Sequence, residues 1–337
     1  MGFRLKKVKA GLLGLGNIGK VHLNQYLALE SEGSAIQLKA ICDLDANKFK
    51  DSAEYDFNKY DIYTDFAEML MDDELDYIDI CLPTFLHAEM TIQALNKGKH
   101  VLCEKPMALN SFDSERMVEA AECNNRLLMI AQCLRFMSEY VYLKDCVDSG
   151  RLGNVISANF FRGGNPPISS ANRWMLDEKK SGGNLLDFHI HDVDMIYWLF
   201  GKPQWVSVLG KNKYENSGYD VVSAHYGYKD MLIHAQSDWS LEGDFEFEMN
   251  YRVNFERGNV VYHNGVLIEN PSEGKCFIPK LEGIGGVYGE IQYFANAIIH
   301  NTPVDQSAPR DTLAVIRILE LEKQSADHNG EIVHVTG

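Results

Sequence analysis

The chain has 337 residues, which is long enough for two domains and a substantial buried core. Its formal net charge is −16 and it contains no long run of lysine and arginine, which disfavours binding to nucleic acid or to an anionic membrane surface. No apolar stretch approaches the length of a membrane span. We therefore expect a globular protein with neither a nucleic-acid nor a membrane partner.

The chain contains seven cysteines, an odd number, and none of them belongs to a CxxC pair. Three of them end apolar, strand-like runs, where cysteine behaves as a small hydrophobic residue. The first residues are basic, but no apolar segment typical of a secretion signal follows them. We therefore expect reduced cysteines and a cytoplasmic location.

In the first 135 residues, short apolar runs alternate with segments of helical composition. The apolar runs predict strands at 8–13, 36–42, 76–82, 100–103 and 127–131. The segments between them predict helices at 18–29, 46–60, 87–97 and 111–124. This alternation is typical of a parallel sheet built from βαβ units, so we predict a Rossmann domain over residues 1–135.

Beyond residue 135 apolar and polar residues alternate, which indicates a largely antiparallel sheet with one covered face. Strands are predicted at 155–161, 204–210, 219–228, 231–239, 245–256 and 259–269. Helices are predicted at 138–149, 185–199, 288–300 and 309–324. The expected fold class is α/β, with the N-terminal Rossmann domain followed by a C-terminal α+β domain (136–337) that contains a large, mostly antiparallel sheet. Its last helix is a candidate for packing back on the first domain.

A glycine-rich motif follows the first predicted strand and opens the first helix; its residues are Gly14, Gly16, Asn17, Ile18 and Gly19. The first glycine permits a tight turn, the second allows a pyrophosphate to approach the backbone, and the third allows helix and strand to pack closely. The helix N-terminus supplies free N–H groups to phosphate oxygens. The motif predicts a dinucleotide site, although a plain turn would also use glycines.

Asp43 lies at the tip of the second predicted strand, 24 positions after Gly19. A carboxylate at this place accepts hydrogen bonds from the adenosine ribose hydroxyls and repels a 2′-phosphate. It therefore favours NAD over NADP as the cofactor. Alternatively, Asp43 caps a helix that begins near Asp45, and both roles can hold together.

Five separated segments resemble the glucose–fructose oxidoreductase / inositol dehydrogenase (Gfo/Idh/MocA) family: residues 14–19, 81–87, 103–107, 132–135 and 181–194. Each segment is a weak match by itself, but their order and spacing together are specific. They span most of the chain from residue 8 to residue 200. The C-terminal third matches no motif and has only a compatible strand pattern.

The resemblance implies that Lys105 lies beside the nicotinamide ribose and the reacting hydroxyl, and that Asp187 and His191 complete the catalytic set. Asp187 and His191 are four residues apart and would share one face of a helix. An imidazole, with an ordinary pKa of about 6.5, suits proton transfer near neutral pH. The alternatives are a solvated lysine stiffened by Pro106 and an ordinary surface Asp/His pair.

The same resemblance implies further residues beside the cofactor, whereas the substrate candidates follow from their own positions and residue types, and His189 departs from the family pattern. Leu82, Pro83, Thr84, His87 and Glu104 are expected to line the cofactor, although Thr84 could instead cap a helix. The candidates for substrate binding are Arg135, Arg162, Trp174 and His189. Structural salt bridges for the arginines and a core position for the tryptophan are the alternatives. We expect no metal, because His189 and His191 would point to different faces of a helix.

Together these features predict an NAD-dependent dehydrogenase that oxidises a secondary alcohol of an inositol-like cyclic polyol or of a sugar. His191 would take the hydroxyl proton, Lys105 would stabilise the oxygen, and Asp187 would position the others. Two other functions are open: a glycoside-cleaving enzyme that recycles NAD within each turnover, and a non-catalytic dinucleotide-binding sensor. A homodimer or homotetramer is expected.

Overall fold

The computed structural model describes residues 7–46, 55–281 and 285–336. The chain divides into two compact units. The first comprises Met1–Ala108, Phe112–Phe136 and Ile284–Thr312, and the second comprises Leu109–Ser111, Met137–Gly283 and Leu313–Gly337. The division into 1–135 and 136–337 that we expected from the sequence therefore needs a correction, because residues 284–312 belong to the first unit.

The first unit contains a six-stranded sheet, and all its neighbouring strands are parallel. Its strands are β1 (Val8–Leu13), β2 (Ile36–Cys42), β3 (Asp61–Tyr63), β4 (Tyr77–Ile80), β5 (His100–Glu104) and β6 (Leu128–Ala131). The strand order β3-β2-β1-β4-β5-β6 is that of dinucleotide-binding sheets. The predicted parallel sheet is confirmed, with the short β3 as an addition.

The α-helices of the described part of the chain number nine. They are α1 (Asn17–Ser31), α2 (Phe66–Leu70), α3 (His87–Asn96), α4 (Ser111–Cys123), α5 (Ser138–Ser149), α6 (Glu178–Ser181), α7 (Ile190–Phe200), α8 (Gly286–His300) and α9 (Pro309–Asp327). In the first unit, α8 packs against α1, and the ring of Phe294 on α8 lies 5.5 Å from that of Tyr77 on β4. Hence it is α8, a segment late in the chain, that completes the core of this unit.

The helix predicted at 46–60 lies largely outside the described residues. In the described part of this segment, Phe57–Lys59 forms a short 3₁₀ turn, which the Asp56 carboxylate caps. No helix of the described chain combines the length and the apolar composition that crossing a membrane requires. None of the seven cysteines, all of which lie in the described part, forms a disulfide.

The second unit contains an eight-stranded sheet in the order β13-β12-β11-β7-β10-β9-β8-β14. Its strands are β7 (Val155–Gly163), β8 (Trp205–Lys211), β9 (Val221–Gly227), β10 (Leu232–Asp238), β11 (Glu248–Phe255), β12 (Gly258–His263), β13 (Val266–Pro271) and β14 (Val333–His334). Only β7 and β10 pair in parallel. The mostly antiparallel sheet that the alternation predicted is confirmed.

One predicted strand was wrong. The segment 259–269 forms two strands, because the chain turns at Asn264 and Gly265, whose φ angles are +50° and +73°. Two successive residues with positive φ make the tight turn that matches the twist of a hairpin, and Asn-Gly is its preferred sequence. The signal was therefore present in the sequence, between two apolar stretches that looked continuous.

Candidate active site

The three glycines of the loop after β1 meet different demands. Gly14 has φ of +94°, and a Cβ atom there would lie 2.5 Å from the backbone oxygen of Cys81. A Cβ atom at Gly19 would lie 2.1 Å from the oxygen of Gly14, whereas one at Gly16 would meet nothing within 4 Å. The first and third glycines are therefore required by the fold, and the second leaves space for a ligand against the backbone.

The start of α1 is suited to bind an anion. The helix begins at Asn17, after Gly16, which has no side chain to cap it. Asn17 and Ile18 are both exposed at this first turn. The first N–H groups of a helix have no partner within the helix, and they carry its positive dipole end. This turn can therefore hold the pyrophosphate of a dinucleotide.

Asp43 follows β2 and contacts the glycine loop. Its Oδ2 atom accepts a hydrogen bond of 2.8 Å from the backbone N–H of Leu15, and its Oδ1 atom accepts one of 2.9 Å from Asp45. The second bond corresponds to the local capping role that the sequence left open. Each carboxylate oxygen can accept a further hydrogen bond, so these contacts are compatible with ribose binding.

The loop after β4 and the loop after β5 are joined by His87. Its Nδ1 atom lies 2.7 Å from the Pro106 carbonyl oxygen, and its Nε2 atom lies 2.7 Å from that of Leu82. The ring is only 1% exposed, so it holds the two loops together. Between them, Pro83 precedes a 3₁₀ turn that starts at Thr84, whose side chain is buried without capping that turn.

Lys105 directly follows the end of β5 and is partly exposed. Its backbone N–H donates a 2.9 Å hydrogen bond to Oε2 of Glu104, the last residue of that strand. The Lys105–Pro106 peptide bond is cis. Because the carboxyl ends of parallel strands share one edge of the sheet, Lys105 lies at the same edge as the glycine loop.

Behind this edge lies a buried polar cluster that sequence reasoning missed. His22 on α1 lies between the carboxylates of Asp79 and Glu104, and the Tyr26 hydroxyl donates to Asp79 Oδ2 at 2.8 Å. Glu290 on α8 is buried beside them. Asp79 was visible in the sequence as a charged residue within an otherwise apolar strand, but no local pattern connects Glu290 to it.

Parts of this cluster have a spacing that a metal ion could use. His22, Glu104 and Glu290 each place one ligand atom within 4.8 Å of the others, and so do His22, Asp79 and Cys81. However, both ring nitrogens of His22 already contact carboxylate oxygens, so a metal would have to replace a proton. The absence of a metal stays a prediction.

In the second unit, a tight turn precedes the two remaining catalytic candidates. The Ser181 hydroxyl donates to the Met175 carbonyl at 2.8 Å and accepts from the Gly183 N–H at 2.9 Å. Gly182 and Gly183 both have positive φ, and Cβ atoms there would lie 2.2 Å from the Leu186 side chain and 2.5 Å from the Ser217 oxygen, respectively. Only glycine fits at either position.

Asp187 lies in a π-helix, Leu185–His189, and His191 lies in α7, which continues directly from it. Both side chains are partly exposed. The expectation that they share a face assumed a continuous α-helix, and the wider π turn changes that angular relationship. Single π turns within helices are frequent at functional sites.

Asn184 anchors the start of this π-helix. Its Nδ2 atom donates a 3.0 Å hydrogen bond to the Asp220 carbonyl, and its Oδ1 atom accepts from the Ser237 hydroxyl. Asp220 in turn accepts a 2.7 Å hydrogen bond from the indole of the buried Trp239. This polar network fixes the segment that carries Asp187 to the ends of β9 and β10.

Both arginines form ion pairs, the alternative that we raised from the sequence. The Arg162 guanidinium donates two hydrogen bonds of 3.1 Å to the Asp192 carboxylate, and both side chains are almost fully buried. Arg135, also buried, donates to the Gln306 carbonyl at 3.0 Å and lies 3.4 Å from Asp311. A substrate contact by either arginine stays a prediction.

The other two substrate candidates differ in exposure. His189 is fully buried, and its Nε2 atom lies 3.1 Å from the Tyr226 hydroxyl and 3.2 Å from the Glu322 carboxylate. Trp174 is partly exposed in the 3₁₀ segment Ala171–Leu176. A surface cavity of about 760 Å³ is lined by Arg173 and Leu176 of this segment but not by Trp174, so a substrate contact by Trp174 or His189 stays a prediction.

The parallel sheet, the glycine loop and Asp43 define a dinucleotide-binding Rossmann unit, which is combined with a second α+β unit. The model of the oxidoreductase family with an NAD-binding Rossmann fold matches residues 8–132. The GFO/IDH/MocA C-terminal domain model matches residues 140–261. The chain belongs to the Gfo/Idh/MocA family of NAD-binding oxidoreductases.

Curated relatives include two inositol dehydrogenases. Inositol 2-dehydrogenase of Salmonella typhimurium is 30% identical over 200 residues, which are 58% of this chain and 55% of the relative. Myo-inositol 2-dehydrogenase of Thermotoga maritima is 30% identical over 197 residues, again 58% of this chain and 55% of the relative. The match thus spans little more than half the length of these relatives.

A solved structure shares the complete fold. Levoglucosan dehydrogenase in complex with NADH and levoglucosan superposes with a TM-score of 0.85, covering 98% of this chain and 100% of that chain. The two sequences are 21% identical, so the similarity is one of fold.

Proposed function

We propose that the protein is an NAD-dependent dehydrogenase that oxidises a secondary alcohol of a cyclic polyol or sugar. The observation that carries the proposal is that Lys105 and the glycine loop lie at the same edge of the first sheet, at the ends of β5 and β1. We infer that a dinucleotide held by the loop at this edge extends toward the ammonium group of Lys105. Such a group can hydrogen-bond an oxygen on which negative charge develops.

The chemistry divides between the cofactor and the chain. NAD supplies the acceptor for the hydride that leaves the alcohol carbon. The hydroxyl proton goes to the imidazole of His191, Lys105 stabilises the oxygen as the proton leaves, and Asp187 orients these groups. The products are a ketone, NADH and a proton, which accounts for both electrons and both hydrogens.

The substrate class is supported by the relatives and by the charge of the chain. Two relatives are named as inositol dehydrogenases, and the similar fold is solved with the sugar derivative levoglucosan. A neutral polyhydroxylated ring needs several hydrogen-bonding side chains rather than a cluster of cations. In the second unit the buried Arg162 is already neutralised by Asp192.

We also propose that the protein forms a homodimer or homotetramer in the cytoplasm. Leu209 on β8 is 60% exposed and Leu232 on β10 is 78% exposed, and the pairing of the strands places both on one face of the second sheet. Exposed apolar side chains on one sheet face favour association with a second surface. Light scattering of the purified protein measures the oligomeric state.

A substrate screen tests the proposed function. The protein is incubated with NAD and with inositols, aldoses and simple 2-hydroxy acids in turn, and the NADH formed is followed by absorbance. We expect activity with at least one inositol or aldose. Activity confined to the 2-hydroxy acids contradicts the substrate class. Cleavage of a glycoside without net NADH supports the glycoside-cleaving function instead, and NAD binding without any turnover supports a sensor.

A further inference from the structure

A fully buried histidine connects the cofactor-binding helix to the strand that leads to Lys105. His22 lies on α1, three positions after Gly19, and its side chain has no exposed surface. Its Nδ1 atom lies 2.8 Å from Asp79 Oδ2, and its Nε2 atom lies 3.0 Å from Glu104 Oε1. The ring therefore joins α1 to the carboxyl-terminal halves of β4 and β5.

The contacts of His22 favour a charged ring. An ionised carboxylate only accepts hydrogen bonds, so a ring that contacts one carboxylate through each nitrogen has to donate from both. Burial acts to lower the pKa of His22, but Asp79 and Cys81 outweigh burial and hold the pKa well above 6.5. A doubly protonated ring satisfies both contacts, and both hydrogen bonds are then charge-assisted.

Glu290, the third acidic residue of the cluster, does not take part in these hydrogen bonds. Burial and the nearby Glu104 carboxylate raise the pKa of Glu290 well above 4.5, which disfavours a charge on its side chain. Neither of its carboxyl oxygens has a hydrogen-bond partner among the described residues. Within this cluster, the positive charge that compensates Asp79 and Glu104 is therefore that of His22.

Glu104 transmits the contact to Lys105. Its Oε1 atom accepts from His22, and its Oε2 atom accepts the Lys105 backbone N–H at 2.9 Å. Because the two oxygens belong to one planar carboxylate, loss of the bond to His22 allows the group to rotate away from Lys105. On the other side of Lys105, the Pro106 carbonyl is held by His87.

We propose that His22 is a positioning residue, which fixes the backbone of Lys105 through Glu104 and so aligns Lys105 with the helix that binds the cofactor phosphates. The proposal deepens the proposed function and rests on it for the catalytic role of Lys105. The hydrogen-bond chain itself is measured without substrate, so that failure of one proposal is distinguishable from failure of the other.

Two substitutions separate the two contacts of His22. An asparagine amide reaches the place of Nδ1, so His22→Asn keeps a donor for Asp79 and loses the one for Glu104. A glutamine amide reaches the place of Nε2, so His22→Gln keeps the donor for Glu104. Both variants lose the positive charge equally, so a difference between them reports the contact with Glu104.

Amide hydrogen exchange at Lys105 is the substrate-free measurement. It is followed by NMR in protein labelled with ¹⁵N-lysine, with Lys105→Arg identifying the signal. We expect exchange at this amide to be about tenfold faster in His22→Asn than in His22→Gln, the effect of losing one charge-assisted hydrogen bond. Equal exchange rates in the two variants overturn the proposal, whatever the protein turns out to catalyse.

Steady-state kinetics with an active polyol then test the effect on Lys105. We expect kcat to fall about tenfold in His22→Asn and to recover largely in His22→Gln, with the KM for NAD little changed in both. His100→Asn is the matched control, since His100 starts the same strand at its opposite end, where it accepts the Leu127 N–H. We expect the kcat of His100→Asn to equal that of the wild type. An equal fall of kcat in His22→Asn, His22→Gln and His100→Asn contradicts a positioning role.

A third measurement needs no substitution and covers the case in which a variant fails to fold. The ¹⁵N shifts of the His22 ring in the wild-type protein show whether one or both nitrogens carry a proton. We expect both to be protonated at neutral pH. A single protonated nitrogen removes one of the two links and overturns the proposal.

Discussion

The Asp43 carboxylate accepts the backbone N–H of Leu15 within the glycine loop, at a distance of 2.8 Å. The residue that we expect to select the cofactor therefore also holds the loop that binds it. A substitution at Asp43 changes both properties unless it keeps an oxygen acceptor. This relationship determines how the preference for NAD has to be tested.

We expect the protein to bind NADH more tightly than NADPH, because the Asp43 carboxylate repels a 2′-phosphate. Asp43→Asn keeps an oxygen acceptor for the Leu15 N–H and removes the charge. It is therefore expected to reduce the difference in affinity between NADH and NADPH while the loop stays in place. Asp43→Ala also removes the acceptor and costs a further ~1 kcal/mol of unfolding free energy. Fluorescence titrations with both cofactors measure the preference. Equal affinities in the wild type, or an unchanged preference in Asp43→Ala, refute the assignment.

Two glycine substitutions are expected to affect different properties, one the stability of the first unit and the other the affinity for NADH. Gly19→Ala brings a Cβ atom to 2.1 Å from the Gly14 oxygen, so it destabilises the first unit and lowers the melting temperature. Gly16→Ala meets nothing within 4 Å in the protein, and Gly16 has φ of −71°, so stability is retained while NADH affinity falls.

Thermal denaturation and NADH titration of the two variants are compared side by side. If Gly16→Ala binds NADH like the wild type, the pyrophosphate does not approach the backbone at Gly16. An unchanged melting temperature in Gly19→Ala contradicts the close packing of loop and helix.

Lys105→Ala and His191→Ala are expected to abolish most turnover and to leave NADH affinity nearly intact, because both residues act on the reacting oxygen. The loss of one positioned acid–base group typically lowers the rate by about 10²–10⁴-fold. Circular dichroism verifies that the variants are folded, and kcat is measured with the best polyol. A folded variant with a kcat near that of the wild type shows that the role given to its residue is wrong.

The raised pKa of His22 predicts how stability depends on pH. The folded pKa lies above the unfolded value near 6.5, so the contribution of His22 is fully present below that pH. It is lost as the pH rises through the folded pKa. We expect the unfolding free energy of the wild type to exceed that of His22→Gln most strongly in the acidic range and to converge toward it in alkali. Chemical denaturation at several pH values measures the difference, and a gap that widens with rising pH contradicts the charged ring.

Treatment with a chelator is expected to leave activity unchanged, although the His22 cluster has a spacing that a metal could use. Both nitrogens of His22 already contact carboxylate oxygens, so a metal would have to replace a proton of the ring. Activity before and after dialysis against a chelator, together with elemental analysis, provides the test. Loss of activity that a divalent metal restores contradicts this expectation.

The two sheets and the glycine loop could be predicted because each leaves a local pattern in the sequence. The sheets leave apolar runs or alternation, and the loop leaves its glycine spacing. That residues 284–312 belong to the first unit could not be predicted. The sequence of α8 resembles that of any amphipathic helix, and only its partners decide where it packs. The π-helix that carries Asp187 is anchored through Asn184 to Asp220, which lies 36 positions further along the chain. The pairing of His22 with Glu104 likewise joins residues 82 positions apart.

Net oxidation of a polyol or sugar by NAD is tested most directly by the ratio of the two products. With the best substrate of the screen, NADH and the carbonyl product are quantified in the same reaction. We expect one NADH for each carbonyl formed, and loss of both products in Lys105→Ala. Turnover without accumulation of NADH, or absence of turnover with every polyol and sugar, contradicts it.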